Sequence, residues 1–355
     1  MARSLAAPAS GPSLGVVGST AAAAAAAAQP AVVFDGLPFP TLPYVAVCLA
    51  ALAVPFLARL AGSSSTSVPA KRLLWAAAFG VNVLSVGQPG RFDGLAVAAA
   101  KNKSTDPNLK YQGGIPWTPV FAPAGWAFAI WGVIYLGELL TTVSVSVFGI
   151  SPILSSSQSE TSAALQGWVA GNLFQSLWCA SFRPEFSDHL YLPATLLALA
   201  AASILGCHGA ITAAIDKAQG VGAKAVLCAL RFPLSLHGAW LCAACLLNLN
   251  GWAARSKLRM GTQVSLAYAT AYAASAVGAA LSLWRGDPFL ALTIAWALKA
   301  VAAQTMSASA AAVLKLPDVA KESLAQTESA LASVLIALAA VGTPFFRREL
   351  RRFEL

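Results

Sequence analysis

The stretch FAPAGWAFAIWGVIYLGELL, residues Phe121–Leu140, decides the fold class because it is long, apolar and almost free of charge. It holds two tryptophans, two phenylalanines and a tyrosine, and its one charged residue is Glu138. A helix of about 20 apolar residues crosses the hydrocarbon core of a bilayer. The stretch therefore predicts a transmembrane helix. Its aromatic side chains either anchor the helix in the membrane interface or line a binding site.

The whole chain has the composition of a protein that is surrounded by lipid. Of its 355 residues, 57% are hydrophobic and 10% are charged, whereas an average soluble domain carries about 25% charged residues. The alternating pattern of barrel strands is absent, so every span is predicted as a helix. The candidate spans lie near residues 41–61, 73–88, 121–147, 163–182, 190–213, 227–250, 263–284, 288–313 and 327–346.

The charged and reactive residues exclude several classes of function. The net charge of +9 comes from loops and from a basic tail at 347–355, where positive residues suit anionic lipid headgroups, so nucleic-acid binding is not expected. The six cysteines and three histidines show no spacing typical of metal ligands. No nucleophile motif or phosphate-binding loop is present either. The sequence favours a binding protein over an enzyme.

Three segments lie outside the main body of spans. Residues 1–40 are rich in alanine and poor in acidic residues, which predicts a disordered leader. This composition fits a peptide that targets the protein to a plastid or a mitochondrion, and the alternatives are a disordered tail without a targeting role and a signal-like leader. Residues 41–62 are either an extra membrane span or part of that leader. The polar segment 88–118 is a long loop, and loops of this length are commonly functional lids.

The opening stretch carries a stripe of three chemically informative residues. Trp131, Tyr135 and Glu138 follow at steps of four and three residues, so they lie on one face of the helix. On spacing alone, this stripe suits helix packing as well as a ligand site. Glu138 lies near the middle of its span, where a carboxylate normally faces a partner or a cavity.

We predict that the partner of Glu138 is Lys299, which lies about as deep in the span 288–313. Such a pair would bury two opposite charges inside the bundle. The alternative is a protonated Glu138 together with a lysine whose long side chain reaches the membrane interface.

Two further spans carry buried amides and aromatic residues. Asn172 and Trp178 lie in the span 163–182, whereas His237, Trp240 and Asn248 lie in the span 227–250. Amides in helices surrounded by lipid usually form hydrogen bonds across a helix interface. For His237, a histidine with partners inside the core is favoured over a metal or haem ligand.

These motifs resemble the tryptophan-rich sensory protein family, also called the translocator protein or peripheral benzodiazepine receptor family. FAPAGWAFAIWGVIY at 121–135 resembles its second-helix signature, and RFPLSLHGAWLCAACLLNLNGW at 231–252 resembles its fifth. GNLFQSLWCASF at 171–182 is similar to the third helix. RGDPFLALTIAWALKA at 285–300 looks like the C-terminal region of the longer branch. The resemblance covers about residues 72–313.

The resemblance implies an all-α, polytopic transmembrane helical bundle. Its five-helix core would be residues 72–251, followed by about three helices in 262–346, and 41–62 would add one N-terminal helix.

The family binds tetrapyrroles and other flat ligands in a pocket closed by the loop after the first helix, which is 88–118 here. Trp126 lies five residues before Trp131, which turns it about 100° away from its position in shorter members and makes it an interface anchor as well. The implied pocket residues, with His237 as a further polar candidate, are Trp126, Phe128, Trp131, Tyr135, Asn172, Trp178, Trp240 and Asn248.

The sequence therefore predicts a receptor or carrier-like membrane protein that binds a flat apolar ligand. A bound tetrapyrrole is the first expectation, and no cofactor is required. One alternative is a secondary transporter that uses Glu138 and Lys299 as a coupling pair. Another is a structural or pigment-associated subunit of a membrane complex. The expected partners are the lipid bilayer and a porphyrin-like molecule, and a homodimer is left open.

Overall fold

A computed structural model describes residues 42–92, 119–149, 158–307 and 314–342 of the chain. Over these ranges the backbone forms nine α-helices and no β-strand. A 3-10 turn, Gly125–Ala129, leads directly into α3, and a π turn, Leu338–Gly342, follows α9. The helices are α1 (Leu42–Gly62), α2 (Val68–Gly87), α3 (Ile130–Phe148), α4 (Gln158–Ser181), α5 (Tyr191–Lys217), α6 (Val221–Arg255), α7 (Met260–Arg285), α8 (Pro288–Thr305) and α9 (Asp318–Ala337).

Among the described residues, seven helical segments are long and apolar enough to cross a membrane. They are Pro43–Gly62, Gly125–Phe148, Tyr191–Lys217, Val221–Arg255, Met260–Arg285, Pro288–Thr305 and Asp318–Val341. The predicted all-α, polytopic membrane bundle is confirmed, and the protein is an integral, multi-pass membrane protein. Helix α6 has 35 residues, which at 1.5 Å per residue gives about 52 Å. It is long enough to cross the hydrocarbon core and both headgroup regions.

Helices α2 and α4 fall outside that set because they carry polar side chains in their apolar runs. Asn82 on α2 and both Asn172 and Gln175 on α4 are fully buried. Helix α4 packs against α1, α2 and α5, so its amides meet other helices. Polar groups at membrane depth must find their partners inside the protein. The low hydropathy of these two helices therefore reflects their buried amides together with charged residues such as Lys71 and Arg72 near the start of α2.

Helix α6 connects two hydrophobic clusters. On one side, Leu227, Leu234 and Leu241 recur every seven residues and join the cluster built by α1, α2, α4 and α5. On the other side, Ala239 and Trp240 join the cluster built by α7, α8, α9 and the turn before α3. A spacing of seven residues keeps side chains on one helix face. Side chains near residue 237 of α6 therefore lie in the middle of the bundle.

Glycines allow the helices around this central region to approach closely. A Cβ atom at Gly137 on α3 would lie 2.7 Å from Cβ of Pro233 on α6. A Cβ atom at Gly167 on α4 would lie 2.6 Å from the backbone of Ser203 and Cys207 on α5. Small residues at such crossings are typical of helix packing in membranes. Gly137 thus brings the neighbouring Glu138 up to α6.

A buried carboxylate joins the α7–α8 connection to α5 and α6. Oδ2 of Asp287 lies 2.9 Å from Nε2 of His208 and 3.1 Å from Nε of Arg231, and it accepts a 2.7 Å hydrogen bond from Ser235. Oδ1 caps α8 by accepting from the backbone N–H of Phe289. Burial alone would raise the pKa of Asp287. The hydrogen bond from His208 and the charge of Arg231 outweigh burial and hold this pKa below its usual range.

The helices differ from some of the predicted membrane spans in where they begin or end. Within the predicted segment 41–62, residues Leu42–Gly62 form α1, which packs on α4. The span predicted at 327–346 begins earlier, at Asp318, because the first turns of α9 carry charged residues that hydropathy excluded. The span predicted at 288–313 has its helix end at Thr305. The leader 1–40, residues 93–118 of the predicted lid and the tail 347–355 lie outside the described residues.

Candidate functional site

A carboxyl–imidazole pair lies at the contact between α3 and α6. Oε1 of Glu138 is 2.6 Å from Nδ1 of His237, and both residues are fully buried. Lys299 is exposed on α8 and lines a groove of about 420 Å³ towards α9, together with Glu322. The structure therefore replaces the predicted Glu138–Lys299 pair with a Glu138–His237 pair. The position of Lys299 along its span does not determine which face of α8 carries it, and the structure places its side chain on the face towards α9.

Gln175 of α4 is the centre of a hydrogen-bond network around this pair. Its Oε1 lies 2.7 Å from Nε2 of His237 and also accepts from Nδ2 of Asn82 at 3.0 Å. Its Nε2 donates to the hydroxyl of Tyr135 at 3.0 Å. Gln175, Asn82 and His237 are fully buried. The network therefore links α2, α3, α4 and α6 in the interior of the bundle.

A backbone carbonyl fixes the direction of the hydrogen bonds that link Asn172, Asn82, Gln175 and His237. Nδ2 of Asn172 donates to the carbonyl of Trp168 at 2.9 Å, and a carbonyl can only accept. Oδ1 of Asn172 therefore faces Nδ2 of Asn82, 2.9 Å away. The second hydrogen on that nitrogen points to Oε1 of Gln175. Because this oxygen accepts, Nε2 of His237 must carry a hydrogen.

The contact between His237 and Glu138 therefore holds one proton. The pair is either an imidazolium beside a carboxylate or a neutral imidazole beside a carboxylic acid, and its net charge is zero in both cases. Oε2 of Glu138 is buried and has no hydrogen-bond partner among the described residues. The arrangement can thus keep a proton in the interior without burying a net charge.

An aromatic wall stands beside the pair. The rings of Trp131 and Tyr135 stack with centroids 5.3 Å apart at an angle of 22°. Trp131 also meets His237 edge to face at 5.6 Å and Trp240 at 6.3 Å. Trp131 and Tyr135 are half-buried, whereas Trp240 is fully buried behind them. The structure brings the predicted stripe of α3 together with the predicted residues of α6.

A second aromatic group lies further along the same face of α4. Trp178 follows Gln175 by three residues, and its Nε1 donates to Oδ1 of Asn248 on α6 at 3.4 Å. Phe182 stacks on Trp178 at 5.4 Å, and the guanidinium carbon of Arg91 lies 5.6 Å from the centroid of the Trp178 ring. Trp178 and Asn248 are half-buried. This group therefore extends the site towards the end of the bundle where the predicted lid begins.

The family model described as TSPO-like protein matches residues 96–341, which is more than half of the chain. The chain belongs to the TSPO-like family. No curated protein and no solved structure matched the chain.

In this TSPO-like protein the matched region contains every site residue on α3, α4 and α6. It begins after α2 and continues through α9, so it extends beyond the predicted resemblance at the C-terminal end. Asn82 lies on α2, before the matched region. The hydrogen-bond network therefore reaches beyond the part of the TSPO-like protein that the family pattern covers.

Two of the predicted site residues lie at or beyond the edge of the site. Trp126 is 47% exposed and packs edge to face on Trp296 of α8 at 4.7 Å. Trp126 lies in the 3-10 turn before α3 and packs on α8, so the structure places it outside the contact between α3, α4 and α6. Phe128 is also 47% exposed, although its ring contacts that of Trp240 at 5.7 Å. It lies at the rim of the aromatic wall.

Two residues that hold the network together, Asn82 and Gln175, are not among the predicted site residues. Asn82 lies within the apolar run AAAFGVNVLSVG, where an amide signals a buried polar contact. Gln175 lies three residues after Asn172, so both amides lie on the same face of α4. Those signals identify buried amides. They do not indicate which amide contacts His237.

Proposed function

We propose that this TSPO-like protein binds a flat, apolar ligand between α3, α4 and α6, with a tetrapyrrole as the first choice. The observation that carries the proposal is the half-buried stack of Trp131 and Tyr135 beside a buried network of hydrogen-bonded polar side chains. Apolar sites with a few oriented polar groups suit small ligands of this kind. Tetrapyrrole binding in the family that the motifs resemble supports the choice of ligand.

The proposal assigns different roles to the two layers of the site. Trp131 and Tyr135 offer ring faces to the ligand, since part of each side chain is accessible. Trp240 supports Trp131 from behind and is fully buried. An aromatic contact contributes about 0.5–1.5 kcal/mol beyond the area that it buries. Loss of the whole indole also removes apolar contact area, so Trp131→Ala should weaken binding about tenfold or more.

The test is an absorbance titration of protoporphyrin IX with the purified protein in detergent. We expect saturable binding with one site per chain, weakened by Trp131→Ala. The matched control is Trp284→Ala, since Trp284 is 69% exposed on α7 and belongs to neither aromatic group. Absence of saturable binding contradicts the proposal. Equal weakening by both substitutions also contradicts it, because the binding would then not depend on the site.

A second candidate function is proton-coupled transport. It is supported by the single proton held between Glu138 and His237 inside a membrane span, and it no longer involves Lys299. Uptake of protoporphyrin into vesicles should then respond to a pH gradient and lose that response in Glu138→Gln. Uptake that does not depend on the gradient in the unmodified protein would exclude this candidate and leave the binding function.

We also propose an organellar membrane as the location, a plastid or a mitochondrion. The support is the acidic-poor composition of residues 1–40. A fluorescent fusion of the full chain should label one of these organelles, and a fusion from residue 42 should not. Identical distributions of the two fusions would contradict this location.

A further inference from the structure

We infer that Tyr135 donates a hydrogen bond to the ligand, so the site selects flat ligands that carry an acceptor oxygen at their edge. This inference rests on the proposed binding function and specifies the ligand class, a planar ring system with a carboxylate or carbonyl group. It follows from the fixed donor and acceptor at each hydrogen bond from His237 through Gln175 to Tyr135. It requires no contact beyond those already described.

The direction of the network determines the role of the Tyr135 hydroxyl. His237 donates from Nε2 to Gln175, and Gln175 donates from its amide nitrogen to the hydroxyl oxygen of Tyr135. An amide N–H₂ group cannot accept a hydrogen bond. The hydroxyl oxygen is therefore the acceptor in this contact, and the hydroxyl hydrogen remains available for donation.

That hydrogen has no partner in the part of the chain that the structure describes. The Gln175 contact is the hydrogen bond that Tyr135 makes there, and its ring is held in place by stacking on Trp131. A donor inside a protein that finds no acceptor is costly. An acceptor on the ligand removes this cost, and the half-buried position of Tyr135 leaves part of the side chain open to a ligand.

The surroundings suit a negatively charged acceptor. Consecutive hydrogen bonds polarise one another, so a chain that runs from His237 through Gln175 strengthens the terminal donor. The Glu138–His237 pair has no net charge, so it does not repel a carboxylate through a net negative charge. The guanidinium of Arg91 lies beside Trp178, in the aromatic group further along α4. These features favour a carboxylate on the ligand over an uncharged alkyl edge.

The experiment compares two porphyrins of similar ring size in the purified full chain. Protoporphyrin IX carries two carboxylates, whereas etioporphyrin carries alkyl groups alone. Tyr135→Phe removes the hydroxyl and keeps the ring that stacks on Trp131. We expect the dissociation constant for protoporphyrin IX to rise about tenfold or more, which corresponds to one hydrogen bond to a charged group. The constant for etioporphyrin should stay within about twofold. Tyr272→Phe, at an exposed tyrosine on α7, is the matched control and should change neither constant.

The readout is the ratio of the two dissociation constants, which does not depend on the fraction of the variant that is folded. A misfolded fraction lowers the number of sites and leaves that ratio unchanged. Equal weakening for both porphyrins, or no weakening for either, overturns the role of Tyr135 and leaves the binding function standing. If the unmodified protein binds neither porphyrin, the proposed function fails, and the inference fails with it.

Discussion

The Glu138–His237 pair predicts a specific pattern of stabilities when its two members are removed singly and together. His237→Leu leaves the Glu138 carboxyl with no hydrogen bond among the described residues, because Oε2 is already without a partner. Glu138→Leu leaves Nδ1 of His237 unpaired in the same way. Breaking a buried pair on one side costs about 3–5 kcal/mol. We expect each single substitution to lower the free energy of unfolding by an amount in this range.

Removal of both partners should cost less than the sum of the single changes. Glu138→Leu with His237→Leu replaces both polar groups with apolar side chains of similar size, and such replacements of buried pairs are commonly near neutral. We therefore expect a coupling free energy of at least about 2 kcal/mol in the double-mutant cycle. The assay is denaturant unfolding in detergent micelles, followed by tryptophan fluorescence.

The control for this cycle is Lys299→Leu, alone and with Glu138→Leu. Lys299 is exposed on α8, so its loss should change stability by less than about 0.5 kcal/mol and should add to the effect of Glu138→Leu without coupling. Additive effects of the Glu138 and His237 substitutions would refute the pairing. A large coupling between Glu138 and Lys299 would refute it as well.

Two further predictions concern the framework of the bundle. Because the pKa of Asp287 lies below its usual range, this residue stabilises the fold above its unfolded pKa, and this contribution is lost as the pH falls through its folded pKa. In Asp287→Asn, the unfolding midpoint should therefore fall less steeply as the pH is lowered than it does in the unmodified protein. An equally steep fall in the variant contradicts a stabilising role for the Asp287 carboxylate. Gly167→Ala should destabilise by about 1–3 kcal/mol, because a Cβ atom there meets the backbone of α5 at 2.6 Å. Gly206→Ala, which meets no atom within 4 Å, should be neutral or slightly stabilising in the same thermal unfolding assay, and equal losses in the two variants would contradict the close approach of α4 and α5.

The fold class could be predicted from the sequence because it depends on composition summed over whole segments. Each run of apolar residues had to become a helix, since lipid offers no partner for an open backbone. The first turn of α9 escaped prediction because hydropathy marks the apolar, lipid-facing part of a helix and not its charged start. Asp318 and Lys321 lie in that part of α9.

The candidate site could be predicted only as far as one helix determines it. Periodicity places Trp131, Tyr135 and Glu138 on one face, and the structure keeps them together. The choice between His237 and Lys299 as the partner depends on how α6 and α8 are rotated against α3. That rotation follows from contacts such as Gly137 on Pro233, which the spacing within one helix does not contain. The central role of Gln175 escaped prediction for the same reason.

An experimental structure of the protein with protoporphyrin IX shows whether the ligand binds at the aromatic wall, because it locates the ligand without depending on any substitution. We expect porphyrin density in van der Waals contact, within about 4 Å, of the rings of Trp131 and Tyr135. One acceptor oxygen of the ligand should lie within hydrogen-bond distance of the Tyr135 hydroxyl. Density confined to the lipid-facing surface, or to the groove between α8 and α9, would contradict the account.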